Sequence, residues 1–199
     1  MAGNSPDQKK ENNKIRNLVA TYNMIVNLFW SVINLVPVSV FCYRYLSLKL
    51  FLVFLIVSFL TVFLPNAFFD RIQLGATGSF YKSIGINFIN QFAQNGEIIN
   101  KLVRRKYPNY KMVSGNRQSI RRLVNQTYMF EKFHFMMFLF FMFITLYAAI
   151  KRYWWWALVI FITNVIYNIY PNLLQQYIRV KLRSYARTEK IEPHRTLGK

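Results

Sequence analysis

An all-α integral membrane bundle of four helices is the fold class the sequence predicts, with an amphipathic, basic cytoplasmic segment between helices 2 and 3. Three observations predict it. Hydrophobic residues make up 54% of the 199 and fall in long blocks. Only 17% are charged, whereas about a quarter are charged in an ordinary soluble domain. The charges are lopsided, 26 Lys+Arg against 7 Asp+Glu, for a net charge of +19. This composition excludes a disordered chain, which lacks such apolar blocks. A single cysteine, Cys42, excludes an internal disulfide framework.

The elements follow in order. Residues 1–17 are polar, carry Lys9, Lys10, Lys14 and Arg16, and read as a cytoplasmic tail. No short apolar core with a small-residue cleavage site follows, so the N-terminus is expected to be retained. A single membrane domain is expected over 18–183, with spans at about 18–41, 46–64, 133–150 and 154–175. Each is near the ~20 residues that cross a ~30 Å hydrocarbon core as a helix. Continuous apolar runs favour helices over the alternating pattern of a barrel. The run at 46–64 is the clearest, and Pro65 ends it. Trp154-Trp155-Trp156 reads as an interfacial belt, and Cys42 as an inert helix-end residue.

The segment 65–132 is the one sizeable unit outside the apolar runs. Phe80, Tyr81, Ile84, Phe88 and Phe92 fall near helical spacing, which predicts one interfacial amphipathic helix. Asn95-Gly96 and Tyr107-Pro108-Asn109 read as turns. Residues 117–132 read as a basic helix running into the third span, and 184–199 as a basic cytoplasmic tail. With four spans, the first, middle and last extramembrane segments share one side and hold 22 of the 26 positive charges. The positive-inside rule then places both termini in the cytoplasm of a cell (inner) membrane protein. The same topology accounts for the basic charge, so no nucleic-acid partner is expected.

Two constellations carry candidate chemistry. Glu131 and His134 are three residues apart, on one face of a helix entering the membrane. A charge at the bilayer centre costs about 2.5–3.5 kcal/mol, less at the edge, which makes the pair a functional candidate. One reading has Glu131 orienting His134 as a general base. The other has Glu131 paired with a nearby Arg or Lys and His134 merely interfacial. A di-iron bundle needs two Glu-x-x-His motifs and two further Glu, and zinc needs more ligands than His134 and His194 begin to supply. No metal and no bound cofactor is expected. On the fourth span Asn164, Asn168 and Gln175 are spaced to share one stripe, continued by Arg179. Asn23, Asn27 and Asn34 repeat that spacing on the first. Such amides serve as interhelical glue. On the fourth span the stripe runs into Arg179, Lys181 and Arg183, where a cationic cluster can bind a phosphate or carboxylate head group.

At these residues the chain resembles the glycosyl-diaponeurosporenoate acyltransferase family, small bacterial membrane proteins of carotenoid biosynthesis. Leu64-Pro65-Asn66-Ala67-Phe68-Phe69 is similar to a Pro/aromatic stretch after that family's early spans. Glu131-x-x-His134 matches its Glu-x-x-His. The run from Asn168 through Pro171 to Gln175-Gln176-Tyr177-Ile178-Arg179-Val180-Lys181-Leu182 is similar to its C-terminal motif. Gln176 and Lys181 stand where the family has Arg, and Ile178 where it has Asn. The resemblance covers roughly residues 60–183. It implies transfer of a fatty acyl group to a hydroxyl of a lipid or glycolipid, such as a glycosylated carotenoid, with acyl-CoA or an acyl carrier protein as the donor substrate. Combined with side-chain chemistry, it implies His134 and Glu131 as catalytic residues. Asn168, Pro171, Gln175, Tyr177, Arg179, Lys181 and Arg183 would bind substrate. The alternative is a non-catalytic multi-pass protein that binds lipid or a partner in a biosynthetic complex.

Overall fold

The computed structural model describes residues 6–93, 96–108, 110 and 117–191. Every regular element among them is a helix. The order is α1 (Pro6–Tyr45), α2 (Leu48–Phe59) extended by a 3₁₀ turn (Leu60–Phe63), α3 (Asn66–Arg71), α4 (Gly78–Ser83), α5 (Ile86–Phe92), α6 (Glu97–Lys106), α7 (Arg117–Ile150), α8 (Trp154–Asn164), a π turn (Val165–Ile169) and α9 (Tyr170–Ile191). Among the described residues, three helical stretches are long and apolar enough to cross a membrane: Lys10–Tyr45, Gln118–Ile150 and Trp154–Ala186.

The expected span at 46–64 is shorter than its hydropathy suggests. Ser47 caps it, accepting from the Leu50 N–H, and Pro65 stops it. Its twelve α-helical and four 3₁₀ residues extend about 26 Å, slightly under a ~30 Å core. Helix extends into both expected tails: α1 starts at Pro6, inside 1–17, and α9 continues to Ile191, beyond 183. The basic stretch from 117 and the apolar run to 150 are one unbroken helix. Asn95, Asn109 and His194 lie outside the described residues.

The single amphipathic helix expected over 80–92 is two helices. Gly85 adopts φ +83°, which ends α4 and opens α5. An L side chain pays roughly 1–2 kcal/mol in that conformation. The break turns Tyr81 and Ile86 into the protein, against Leu174 and Tyr177 of α9. Phe88 and Phe92 turn outward, so the apolar stripe counted along one helix is never a single face.

α7 is the central helix and packs on α2, α8 and α9. Phe140, Phe141, Ile144 and Ala148 of α7 meet Val38, Phe41 and Cys42 of α1 and Ala157 and Ile160 of α8 in the main apolar core. Arg152 closes the α7–α8 hairpin in a left-handed conformation, φ 61°. Tyr153 N–H reaches back to Ala148 and Arg152 N–H to Ala149, a Schellman closure without glycine. The outer faces of α1, α2 and α8 expose Leu28, Phe29, Val32, Ile56, Phe59, Leu158 and Phe161. Apolar surface this continuous on helices of this length suits hydrocarbon rather than water.

Gly85→Ala has open space for its Cβ, with nothing within 4 Å, so its cost is conformational alone. It should lose about 1–2 kcal/mol, read as a lower midpoint of thermal unfolding in detergent and earlier proteolysis between α4 and α5.

Candidate functional site

Arg179 and Glu131 are both fully buried and form an ion pair through Nη1 and Oε2, just beyond the apolar runs of α7 and α9. Two charges taken from water need their other hydrogen-bonding groups satisfied as well, and here they are. Arg179 Nε donates to Gln73 Oε1 at 3.3 Å and Nη2 to the Phe69 carbonyl at 3.5 Å. Its guanidinium lies 4.4 Å over the Tyr128 ring, a cation–π contact. Glu131 Oε1 accepts from Gln176 Nε2 at 2.9 Å. Gln176 Oε1 in turn accepts from Leu74 N–H and from the Tyr81 hydroxyl. Burial raises the Tyr81 pKa above its ordinary value, which keeps this donor protonated. Tyr81 also exchanges hydrogen bonds with the backbone of Gly75.

The network surfaces at Asp70. Its Oδ1 accepts from Tyr128 at 2.6 Å and from Arg183 at 3.1 Å, with Arg179 Nε 3.7 Å away. Three pieces of chain are sewn together here: the segment around α3, the start of α7 and the middle of α9.

His134 is elsewhere. Glu131 makes no hydrogen bond to it, since its two oxygens are engaged by Gln176 and Arg179. The ring instead packs edge-on to Tyr167, centroids 6.0 Å apart, and faces the Asn168 side chain and the Tyr167 carbonyl. Nδ1 is buried without a hydrogen bond, as are Asn168 Oδ1 and Asn172 Oδ1. Pro171 explains why this spot is irregular. It has no N–H to give the carbonyl four residues back, that of Tyr167, and its ring would crowd it. The helix widens into the π turn at Val165–Ile169, a distortion frequent at functional sites. Asn168 Nδ2 donates to Asn164 Oδ1, and Asn164 Nδ2 to the Phe138 carbonyl. Tyr167 Oη bonds Ser31 Oγ of α1 at 2.9 Å.

The π turn also overturns part of the predicted stripe. It bonds i→i+5, which slips the face by one residue for everything after it. Gln176 therefore points at Glu131, whereas Gln175 is half-buried and takes no part in the network among the described residues. Tyr177 is buried against Tyr81, with its hydroxyl 3.4 Å from Asn87 Oδ1. Pro171 is half-buried; Lys181 is exposed, 5.2 Å over the Tyr177 ring, and Arg183 is exposed beside Asp70. On α1, Asn34 is spent within its own helix on the Trp30 carbonyl. Asn23 and Asn27 line a groove with Ser31 and Gln126. Asp70, Gln73, Tyr81, Tyr128 and Gln176 are the residues that the sequence did not place in the candidate site. One signal was available for Asp70: it directly follows the Leu64–Phe69 stretch and is one of only 7 acidic residues in a chain of charge +19.

A family model described as glycosyl-4,4'-diaponeurosporenoate acyltransferase matches residues 65–188. The chain belongs to that family. Every member of the Glu131–Arg179 network lies inside the matched range, and α1 and α2 lie outside it. No curated protein and no solved structure matches the chain. Within the matched range, Gln176 answers the Glu131 carboxylate with a neutral amide.

Three variants weigh the network. Glu131→Ala leaves Arg179 buried without its counter-charge and should cost about 3–5 kcal/mol; the Glu131→Met/Arg179→Met pair should recover much of that loss in thermal unfolding. Gln176→Ala strips a donor from Glu131 and an acceptor from Leu74 and should cost about 1–3 kcal/mol in the same assay.

Proposed function

We propose that the protein is a membrane acyltransferase that moves a fatty acyl group from a thioester donor to a hydroxyl of a lipid or glycolipid. A glycosylated carotenoid is the acceptor suggested by the family's description. The observation that carries this reading is His134 beside the π turn, a half-buried imidazole with Nδ1 buried and with the Asn168 side chain and the Tyr167 carbonyl next to the ring. Nδ1–H directed at the Tyr167 carbonyl or Asn168 Oδ1 leaves Nε2 as the basic nitrogen. The orienting role expected of Glu131 passes to these acceptors.

In the reaction, Nε2 takes the proton of the acceptor hydroxyl as its oxygen attacks the acyl carbon. The carbon–sulfur bond then breaks, and the imidazolium returns the proton to the departing sulfur. Asn164 and Asn168, buried and bonded to one another, fix the π turn beside the imidazole. Arg179 is a positioning residue, since it is fully buried with its donors engaged. It sets the angle of α9 on α7, and so the distance from His134 to the π turn. Lys181 and Arg183 supply cationic surface for lipid head groups.

For topology, we propose four crossings with both termini cytoplasmic. Leu48–Phe63 makes the second, at the thin end of what spans a bilayer. A three-crossing chain would separate the N-terminal cations from the eleven between 65 and 132, against the positive-inside rule. A second reading, a non-catalytic lipid- or partner-binding protein, is favoured by one observation: Glu131 and His134 share no hydrogen bond.

His134→Gln should lower acyl transfer about 10²–10⁴-fold with the protein still folded. The readout is the lipid and pigment profile of expressing cells supplied with glycolipid acceptors. An unchanged acylated product in the variant would remove His134 from the chemistry. No new acylated lipid from either protein would favour the second reading.

A further inference from the structure

α1 carries a polar face that the acyl-transfer residues do not use. Two hollows run along it and share Arg16 and Val19. The first, about 640 Å³, lies between the start of α1 and the end of α6, with Arg16, Lys106 and Glu11 on its walls. The second, about 610 Å³, continues down α1 past Asn23 and Asn27 to Ser31, with Gln126 of α7 opposite. Arg104 and Arg105 add positive charge on the last turn of α6 beside the mouth.

The far end is fixed to the candidate chemistry. Ser31 bonds the Tyr167 hydroxyl, and the Tyr167 ring packs against His134. A second tie, Trp30 Nε1 to the Phe92 carbonyl at 3.2 Å, holds α1 beside the end of α5. The groove therefore has cations at one end, amide and hydroxyl groups along its length, and a neighbour of the imidazole at the other. From Arg16 to Ser31 is 15 residues of helix, about 22 Å.

We infer that this groove takes the phosphopantetheine arm of the acyl donor. The chemistry matches in order. A phosphate suits Arg16 and Lys106. The two amides of the arm, each with a donor and an acceptor, suit Asn23, Asn27 and Gln126. The thioester at the tip then arrives at Ser31 and Tyr167, next to His134. This rests on the acyltransferase reading for its purpose, though not for its existence as a binding site. Acyl-CoA and acyl carrier protein present the same arm, so the groove accounts for recognition of either. Its α1 wall lies outside the range matched by the family model, 65–188. Donor recognition is thus shared between Lys106 and Gln126 inside the match and an α1 wall that the match does not reach.

The test uses the full-length protein in lipid nanodiscs with two probes, a photoreactive long-chain acyl-CoA and the same acyl group on a carrier protein. Both binding and transfer are measured. Crosslinks should map to the α1 stretch between Arg16 and Ser31. Arg16→Glu with Lys106→Glu should weaken acyl-CoA binding at least tenfold and raise the donor KM with kcat little changed. Arg16→Lys should restore most of the affinity. Asn27→Leu, at an exposed position, should weaken binding several-fold without unfolding. Loss of carrier-protein use with acyl-CoA spared would identify the carrier as the source of the arm. Binding in the groove without any transfer would uphold the site and sink the enzyme reading. Transfer indifferent to all these variants, or crosslinks confined to other helices, would overturn the groove assignment while leaving the enzyme reading intact.

Discussion

The buried pair between Glu131 and Arg179 is the constraint on which the arrangement around it depends. Neither charge is tolerable alone at that depth, so α7 and α9 cannot slide or rotate past one another without breaking several hydrogen bonds at once. The segment around α3 is held by the same guanidinium through Gln73 and Phe69. Apolar packing alone would leave long helices rich in Phe and Leu several near-equivalent registers. A single ion pair with directional partners selects one.

That selection matters because the imidazole and the π turn sit on different helices. His134 belongs to α7, and the Tyr167 carbonyl and Asn168 to the helix facing it. Their proximity is inherited from the clamp a turn of α7 away. Pro171 supplies the local irregularity and Arg179 the global alignment. Damage to either should reach the imidazole without touching it.

Much of this was readable in the order of residues. Apolar runs gave the long helices, and the proximity of Glu131 to a cation was one of two readings left open by Glu-x-x-His. What was not readable has identifiable causes. Gln176 was displaced from view because a face counted at 3.6 residues per turn ignores a π turn, even though Pro171 stood in plain sight. The helix over 80–92 was drawn as one because Gly85 is a tolerated residue in a periodic pattern, and its positive φ is a tertiary choice. The span at 46–64 looked strongest because hydropathy reports composition, while Ser47 and Pro65 determine length. Gln73 and Tyr128 could not be found at all: their role comes from contacts 106 and 55 residues away in the chain.

The tie between Ser31 and Tyr167 bridges 136 residues, and this imposes an order on biogenesis. α1 leaves the ribosome well before its partner at the imidazole. Until Tyr167 is made, α1 waits without that contact. Amide side chains at Asn23 and Asn27 suit that interval, because they can satisfy one another's neighbours or interfacial water without a charge to strand in lipid. The site is therefore closed only by the arrival of this last apolar helix: a chain truncated before the π turn would lack both the clamp and the wall behind the imidazole, and one truncated before α9 would keep the wall and lose the clamp.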